Sequence, residues 1–120
     1  MIGIDICDVT RFDRLSANDA FLHKVFTDNE IAYCGKGKNA SQRFAARFAA
    51  KEAFSKAVGT GFGKSVSFSE VEVVKSEDGQ PVIQLHGKTA EFFSEEFVGK
   101  QIHLSISHEK TMAVAVVVLL

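Results

Sequence analysis

The chain has 120 residues, which fits one domain, and 46% are hydrophobic, with 11 Phe supplying the large core pieces. A formal charge of −1 excludes the global polycation that would argue for nucleic acid. Its two cysteines, Cys7 and Cys34, form neither a C-x-x-C pair nor a Cys/His metal spacing, so free buried thiols and a reducing cytoplasm are expected.

Met1 opens straight into Ile-Gly-Ile-Asp with no basic n-region or long apolar stretch, so no signal peptide is expected. Ile2 to Ile6 alternates apolar with small or charged residues, which predicts a short first strand. Thr10–Leu15 and Asn18–Phe26 read as helices. Thr27-Asp28-Asn29-Glu30 has the spacing of a capping box, with a short helix through Cys34 to follow. Gly35–Asn39 is a loop.

The longest helix is expected over Ala40–Val58, with Asn39 and Gln42 as a reciprocal cap and Gly59 as its C-terminal stop. Phe44 and Phe48 share a face, Phe54 and Val58 lie on another, and six alanines fill the gaps. Such a helix suits a central position. The loop Gly59-Thr60-Gly61-Phe62-Gly63 follows. Val66–Val74 is strand-like, with a slip near Ser69–Glu70. The Asp78-Gly79 turn signal predicts a hairpin of Val71–Lys75 with Pro81–Leu85. Thr89–Val98 reads as an amphipathic helix carrying Phe92, Phe93 and Phe97. Gln101–Ser107 alternates cleanly, and Met112–Leu119 returns as its antiparallel neighbour, far too short to span a bilayer. There is no repeat or linker, so residues 1–120 are expected to form one α+β domain with a mostly antiparallel sheet packed on a long central helix.

Charge is unevenly spread. Gly35 to Lys64 holds seven basic residues and one acid, Glu52. This segment is either a solvated face or a place for a polyanionic ligand. Glu52 sits on the crowded face of the long helix, where a carboxylate is costly unless paired or metal-bound. Lys56 is its i,i+4 partner candidate. Asp5 interrupts an apolar strand and points either outward or toward a ligand. Two carboxylates on separate rigid elements suit one hard cation such as magnesium, completed by water and phosphate oxygens. Lys56 can neutralise a pyrophosphate or protonate a leaving oxygen, and Gly59, Gly61 and Gly63 let backbone approach a ligand. These glycines follow a helix, so they are not the dinucleotide fingerprint. His108 closes a strand and can contact phosphate, with His103 as competing candidate.

Read together, these residues resemble the holo-acyl-carrier-protein synthase branch of the 4'-phosphopantetheinyl transferases. The resemblance rests on Gly3-Ile4-Asp5-Ile6, Phe26-Thr27-x-x-Glu30, Arg47 through Ala57 with its Lys51-Glu52-Ala53-x-x-Lys56 core, Gly59 through Gly63, and His103 through His108. It implies the phosphopantetheinyl transferase fold. It also implies transfer of 4'-phosphopantetheine from coenzyme A to a serine of apo acyl carrier protein, in support of fatty acid biosynthesis. By the same resemblance, Asp5 and Glu52 are the Mg2+ ligands, Lys56 and His108 lie near coenzyme A, and Arg11 meets the carrier protein. A homotrimer with sites between adjacent subunits is implied as well. The opening keeps one glycine where the family commonly has two, and Ala46 stands where glycine is frequent. The general base is left open between Glu52, a metal-bound water and Lys56. Three rivals compete: a coenzyme A or nucleotide binding module, a metal-dependent phosphohydrolase, and a nucleic-acid binder resting on the basic segment alone. No membrane partner is expected.

Overall fold

A computed structural model describes residues 1–120. Strand β1 (Ile2–Asp8) leads into three short helices, α1 (Arg11–Leu15), α2 (Asp19–Val25) and α3 (Asp28–Cys34), and then the long α4 (Ala40–Val58). A 3-10 turn at Phe68–Glu70 precedes the hairpin β2 (Val71–Lys75) and β3 (Pro81–Leu85). Helix α5 (Gly87–Glu96) connects to β4 (Ile102–His108) and β5 (Met112–Leu119). The main sheet is antiparallel throughout, in the order β1-β5-β4, and α4 packs on β1 and β5. The α+β architecture is the one expected from the sequence.

Local chemistry sets most boundaries. Thr27 and Glu30 form the capping box, each side chain accepting from the other's backbone N–H. Gly59 ends α4 at a φ of 85°, a left-handed setting that favours glycine. The expected reciprocal cap of α4 is absent. Asn39 makes no side-chain cap bond, and Gln42 reaches across to β4 instead. The slip at Ser69–Glu70 is the 3-10 turn, so the strand begins only at Val71. Helix α5 starts two residues before the expected Thr89, because Glu70 accepts from the N–H groups of Lys88 and Thr89 and caps it from outside.

Helix α4 is wrapped on several sides, as its small residues predict. Ala45, Ala46, Ala49, Ala50, Ala53 and Ala57 are all buried. On its sheet side the backbone of β1 comes very close. A Cβ at Gly3 would lie 2.0 Å from the Ala53 carbonyl oxygen and 2.6 Å from the Ala57 nitrogen. Only glycine permits this approach. On the far side Phe12, Phe26 and Phe44 form a buried aromatic cluster, with Phe26 and Phe44 centroids 5.1 Å apart.

The basic segment does not form one surface. Lys51 is fully buried and donates to Glu30 Oε1 at 2.8 Å and to the carbonyl oxygens of Phe68 and Val71. Arg47 is buried with its guanidinium 4.4 Å from the Tyr33 ring centroid. Glu30 also accepts from the Val73 N–H at 2.9 Å, so each group of the buried ion pair has several partners. Removing one member of such a pair costs about 3–5 kcal/mol, because the other charge is left buried and unpaired. Both cysteines are buried and free, and burial pushes the Cys34 thiol up to about 11.

Candidate active site

Asp5 lies on the helix-facing side of β1, between Gly3 and Cys7, both of which are buried against the core. The outward orientation that its sequence position allowed is therefore not the one adopted. Its side chain is only 17% exposed, and Lys56 Nζ donates to its Oδ1 at 3.1 Å and to the Ile4 carbonyl oxygen at 3.1 Å. Because Gly3 lets β1 settle directly on α4, Asp5 comes to rest over the turn that carries Glu52 and Lys56.

Glu52 is half-buried and makes no side-chain hydrogen bond or ion pair. The expected i,i+4 pair with Lys56 does not form, since the lysine is committed to Asp5. Burial pushes the Glu52 carboxyl above the usual carboxylate range, and the nearby Asp5 charge pushes it further. Lys56 and Arg11 pull it partly back. Two carboxylates thus share one field with a lysine at its edge, and no third His, Cys, Asp or Glu joins them. That donor set suits a hard divalent cation. It is all oxygen, carries excess negative charge, and leaves positions for water and phosphate oxygens.

Arg11 opens α1 at the rim of this pair, its guanidinium 6.0 Å from the ring centroid of Phe48, one turn before Glu52. Phe48 stacks on Phe68, which in turn stacks on Phe62 at a centroid distance of 3.6 Å. Phe62 is thereby the anchor of the Gly59–Gly63 loop. Gly61 has φ 64° and donates its N–H to the Ser55 carbonyl oxygen, so the loop folds back on the end of α4 just beyond Lys56. A Cβ at Gly59, Gly61 or Gly63 would meet nothing within 4 Å, and the loop presents an open backbone surface.

His108 is not in this group. It ends β4 beside the first turn of α4, where its Nδ1 lies 3.0 Å from Gln42 Oε1. Gln42 and Glu52 are ten residues apart on one helix, about 15 Å along its axis. His103 points to the opposite face of the sheet, with Ser105 and Ser107. Sequence reasoning missed Gly3 as the spacer and Phe62 as the loop anchor. A glycine inside an apolar strand was the available signal for the first. Nothing local marked the second.

The fold and site together define a small α+β protein in which an acid pair, a lysine and an open glycine loop meet at one end of a central helix. Residues 1–117 match the 4'-phosphopantetheinyl transferase superfamily. A holo-[acyl-carrier-protein] synthase from Geotalea daltonii is 47% identical over 119 residues, covering 98% of this chain and 94% of that relative. The crystal structure of a holo-(acyl-carrier-protein) synthase from Bacillus anthracis, in complex with CoA (3',5'-ADP), is 42% identical at a TM-score of 0.79, covering 98% of this chain and 93% of the other. That of the Helicobacter pylori holo-[acyl-carrier-protein] synthase in complex with coenzyme A is 35% identical at a TM-score of 0.83, covering 99% of each. The chain belongs to the 4'-phosphopantetheinyl transferase superfamily. Within it, these relatives are holo-[acyl-carrier-protein] synthases.

Proposed function

We propose that residues 1–120 act as one domain that transfers 4'-phosphopantetheine from coenzyme A to a serine of apo acyl carrier protein. The observation that carries this reading is Glu52, a half-buried carboxylate left without a partner beside Asp5, on a helix that ends in a glycine loop. Relatives named for this reaction, two of them solved with coenzyme A or a part of it, support it.

Asp5 and Glu52 would hold Mg2+ together with water, and the bound cation would offset negative charge on the pyrophosphate. The serine hydroxyl oxygen forms a bond to the phosphorus on the pantetheine side. The bond from that phosphorus to the bridging oxygen breaks, and adenosine 3',5'-bisphosphate leaves with the electron pair. Such transfer depends mainly on positioning and electrostatics. Lys56, already donating to Asp5 and Ile4, serves as a cation beside the leaving oxygen and not as a base. Glu52 has lone pairs that no side chain of the protein occupies, and the oxygen that the cation would leave uncommitted suits it to receive the serine proton directly or through water. The Gly59–Gly63 backbone borders the donor, and Arg11 at the rim of the carboxylate pair meets an acidic carrier surface.

Two features support a homotrimer with sites between copies. His108 lies about 15 Å along α4 from Glu52, so a site needing both is completed by a second chain. The outer face of the main sheet carries Ile2, Ile4 and Ile6, all more than half exposed, beside Val114, Val116 and Val118. A contiguous apolar face of that kind marks an interface. No helix is long and apolar enough to cross a membrane, and the reading places the enzyme in the cytoplasm.

The test is intact-mass spectrometry of apo acyl carrier protein incubated with this chain, coenzyme A and Mg2+, with an EDTA control. A gain of one phosphopantetheine that EDTA abolishes is the expected result. Coenzyme A cleaved without transfer would favour a phosphohydrolase. Coenzyme A bound but intact, against several apo carriers, would favour a binding module.

A further inference from the structure

We propose that Gln42 is a positioning residue that fixes the tautomer of His108, so that the imidazole presents a bare Nε2 toward the donor substrate. The inference rests on the reading of His108 as a coenzyme A contact. Gln42 lies in the first turn of α4, and its Oε1 is 3.0 Å from His108 Nδ1. A carboxamide oxygen accepts only, so the ring nitrogen facing it carries the proton and the other nitrogen is left as the acceptor. In a free imidazole both tautomers are open and the ring turns about its side-chain bonds. The bond from a residue on the central helix restrains the ring and, with Oε1 facing it, favours the tautomer protonated on Nδ1. Strand β4 ends at His108, where the ladder with β5 closes at Ala113, and no other side-chain hydrogen bond holds the ring. Gln42 was expected to cap its own helix. It leaves the cap unmade, and its side chain is spent on the histidine.

With Nδ1 protonated, Nε2 receives a hydrogen bond from an amino or hydroxyl group of the donor, and it turns toward a phosphate only after the ring has gained a proton there. The orientation of Nε2 is then tied to the first turn of α4.

The experiment is nitrogen-15 NMR of the histidine side chains, above the imidazole titration range, in the wild type, Gln42→Leu and Gln42→Glu. It is run with and without coenzyme A and combined with steady-state kinetics. The wild type is expected to show His108 protonated on Nδ1, with Nε2 shifting when coenzyme A is added. Gln42→Leu should move the population toward the Nε2-protonated form and raise KM for coenzyme A roughly three- to tenfold, the scale of one lost hydrogen bond, with kcat largely kept. Gln42→Glu keeps an acceptor opposite Nδ1 and should restore both the tautomer and KM. A wild-type His108 protonated on Nε2, or a Gln42→Leu variant with tautomer and KM unchanged, overturns the proposal. If the Nδ1-protonated tautomer is found but coenzyme A leaves the His108 signals unmoved, the donor-contact reading of His108 is what fails, and the catalytic purpose of Gln42 falls with it.

Discussion

Lys56 turns away from Glu52, one helical turn before it on α4, and donates to Asp5 Oδ1 on β1 at 3.1 Å. The strand and helix are thereby joined by a bond that leaves one carboxylate neutralised and the other free. The free one is where substitution should be most informative.

Glu52→Gln should lower kcat by roughly a hundredfold or more, the scale of a lost charge-stabilising group, while the fold stays intact. Burial and the Asp5 charge raise the Glu52 pKa above its unfolded value. The folded chain therefore holds that proton more tightly than the unfolded one. The associated stability is present below the ordinary glutamate range and is lost as pH rises through the raised value. At neutral pH in EDTA, Glu52→Gln should melt at the wild-type temperature or above it. Adding millimolar Mg2+ should raise the melting temperature of the wild type and leave the variant unmoved. Equal Mg2+ responses in calorimetry would remove Glu52 from the metal site.

Gly3→Ala places a Cβ against backbone that cannot move aside cheaply. We expect a loss of about 1–3 kcal/mol in urea unfolding, the usual range for overpacking, and a fall in kcat because Asp5 shifts with its strand. Chemical denaturation and Mg2+-dependent turnover on the same variant separate the two effects.

Lys51→Met leaves Glu30 buried without its cation, and about 3–5 kcal/mol of stability should be lost. Pairing it with Glu30→Gln should recover part of that loss, a coupling that a double-mutant cycle in denaturant would read directly.

Arg11→Glu should raise KM for the carrier protein about tenfold or more and leave KM for coenzyme A within twofold, since a rim charge acts mainly on encounter with a charged partner. The wild-type KM for the carrier should also rise with salt, and that of the variant should rise less. Steady-state assays across ionic strength test both.

Ile4→Asp sets a charge in the middle of the exposed apolar face of β1, 58% exposed in a single chain. Sedimentation should report a change from three copies to one, with activity lost while the circular dichroism spectrum is kept. A monomeric variant with full activity would count against sites shared between copies.

Much of this fold could be read from the chain because its signals are local. The Thr27–Glu30 box, the Gly59 stop and the Asp78-Gly79 turn each act within a few residues, and each sits where expected. The expected bounds of α4, β2 and β3 are the observed ones. What failed depended on residues distant in sequence. The start of α5 is set by Glu70, the end of the Gln42 side chain by His108, and the partner of Lys56 by Asp5. The acidic pair itself was visible only as two carboxylates out of place. That they share one field depends on Gly3, and no spacing rule links position 3 to positions 53 and 57. Reading Gly35–Lys64 by charge alone also overstated its surface, since Arg47 and Lys51 turn inward.

Lys51 and Glu52 are neighbours in the chain, yet they serve different sides of α4. Lys51 is tied to Glu30, Phe68 and Val71, and a step of 100° further round Glu52 faces β1. The buried lysine therefore acts as a keyway for the helix: α4 cannot roll about its axis without breaking three bonds in the core. The bearing of Glu52 is indexed from within, by groups that never meet solvent. Variation around the site can reshape its rim, but a new bearing for Glu52 requires recutting the key in the core.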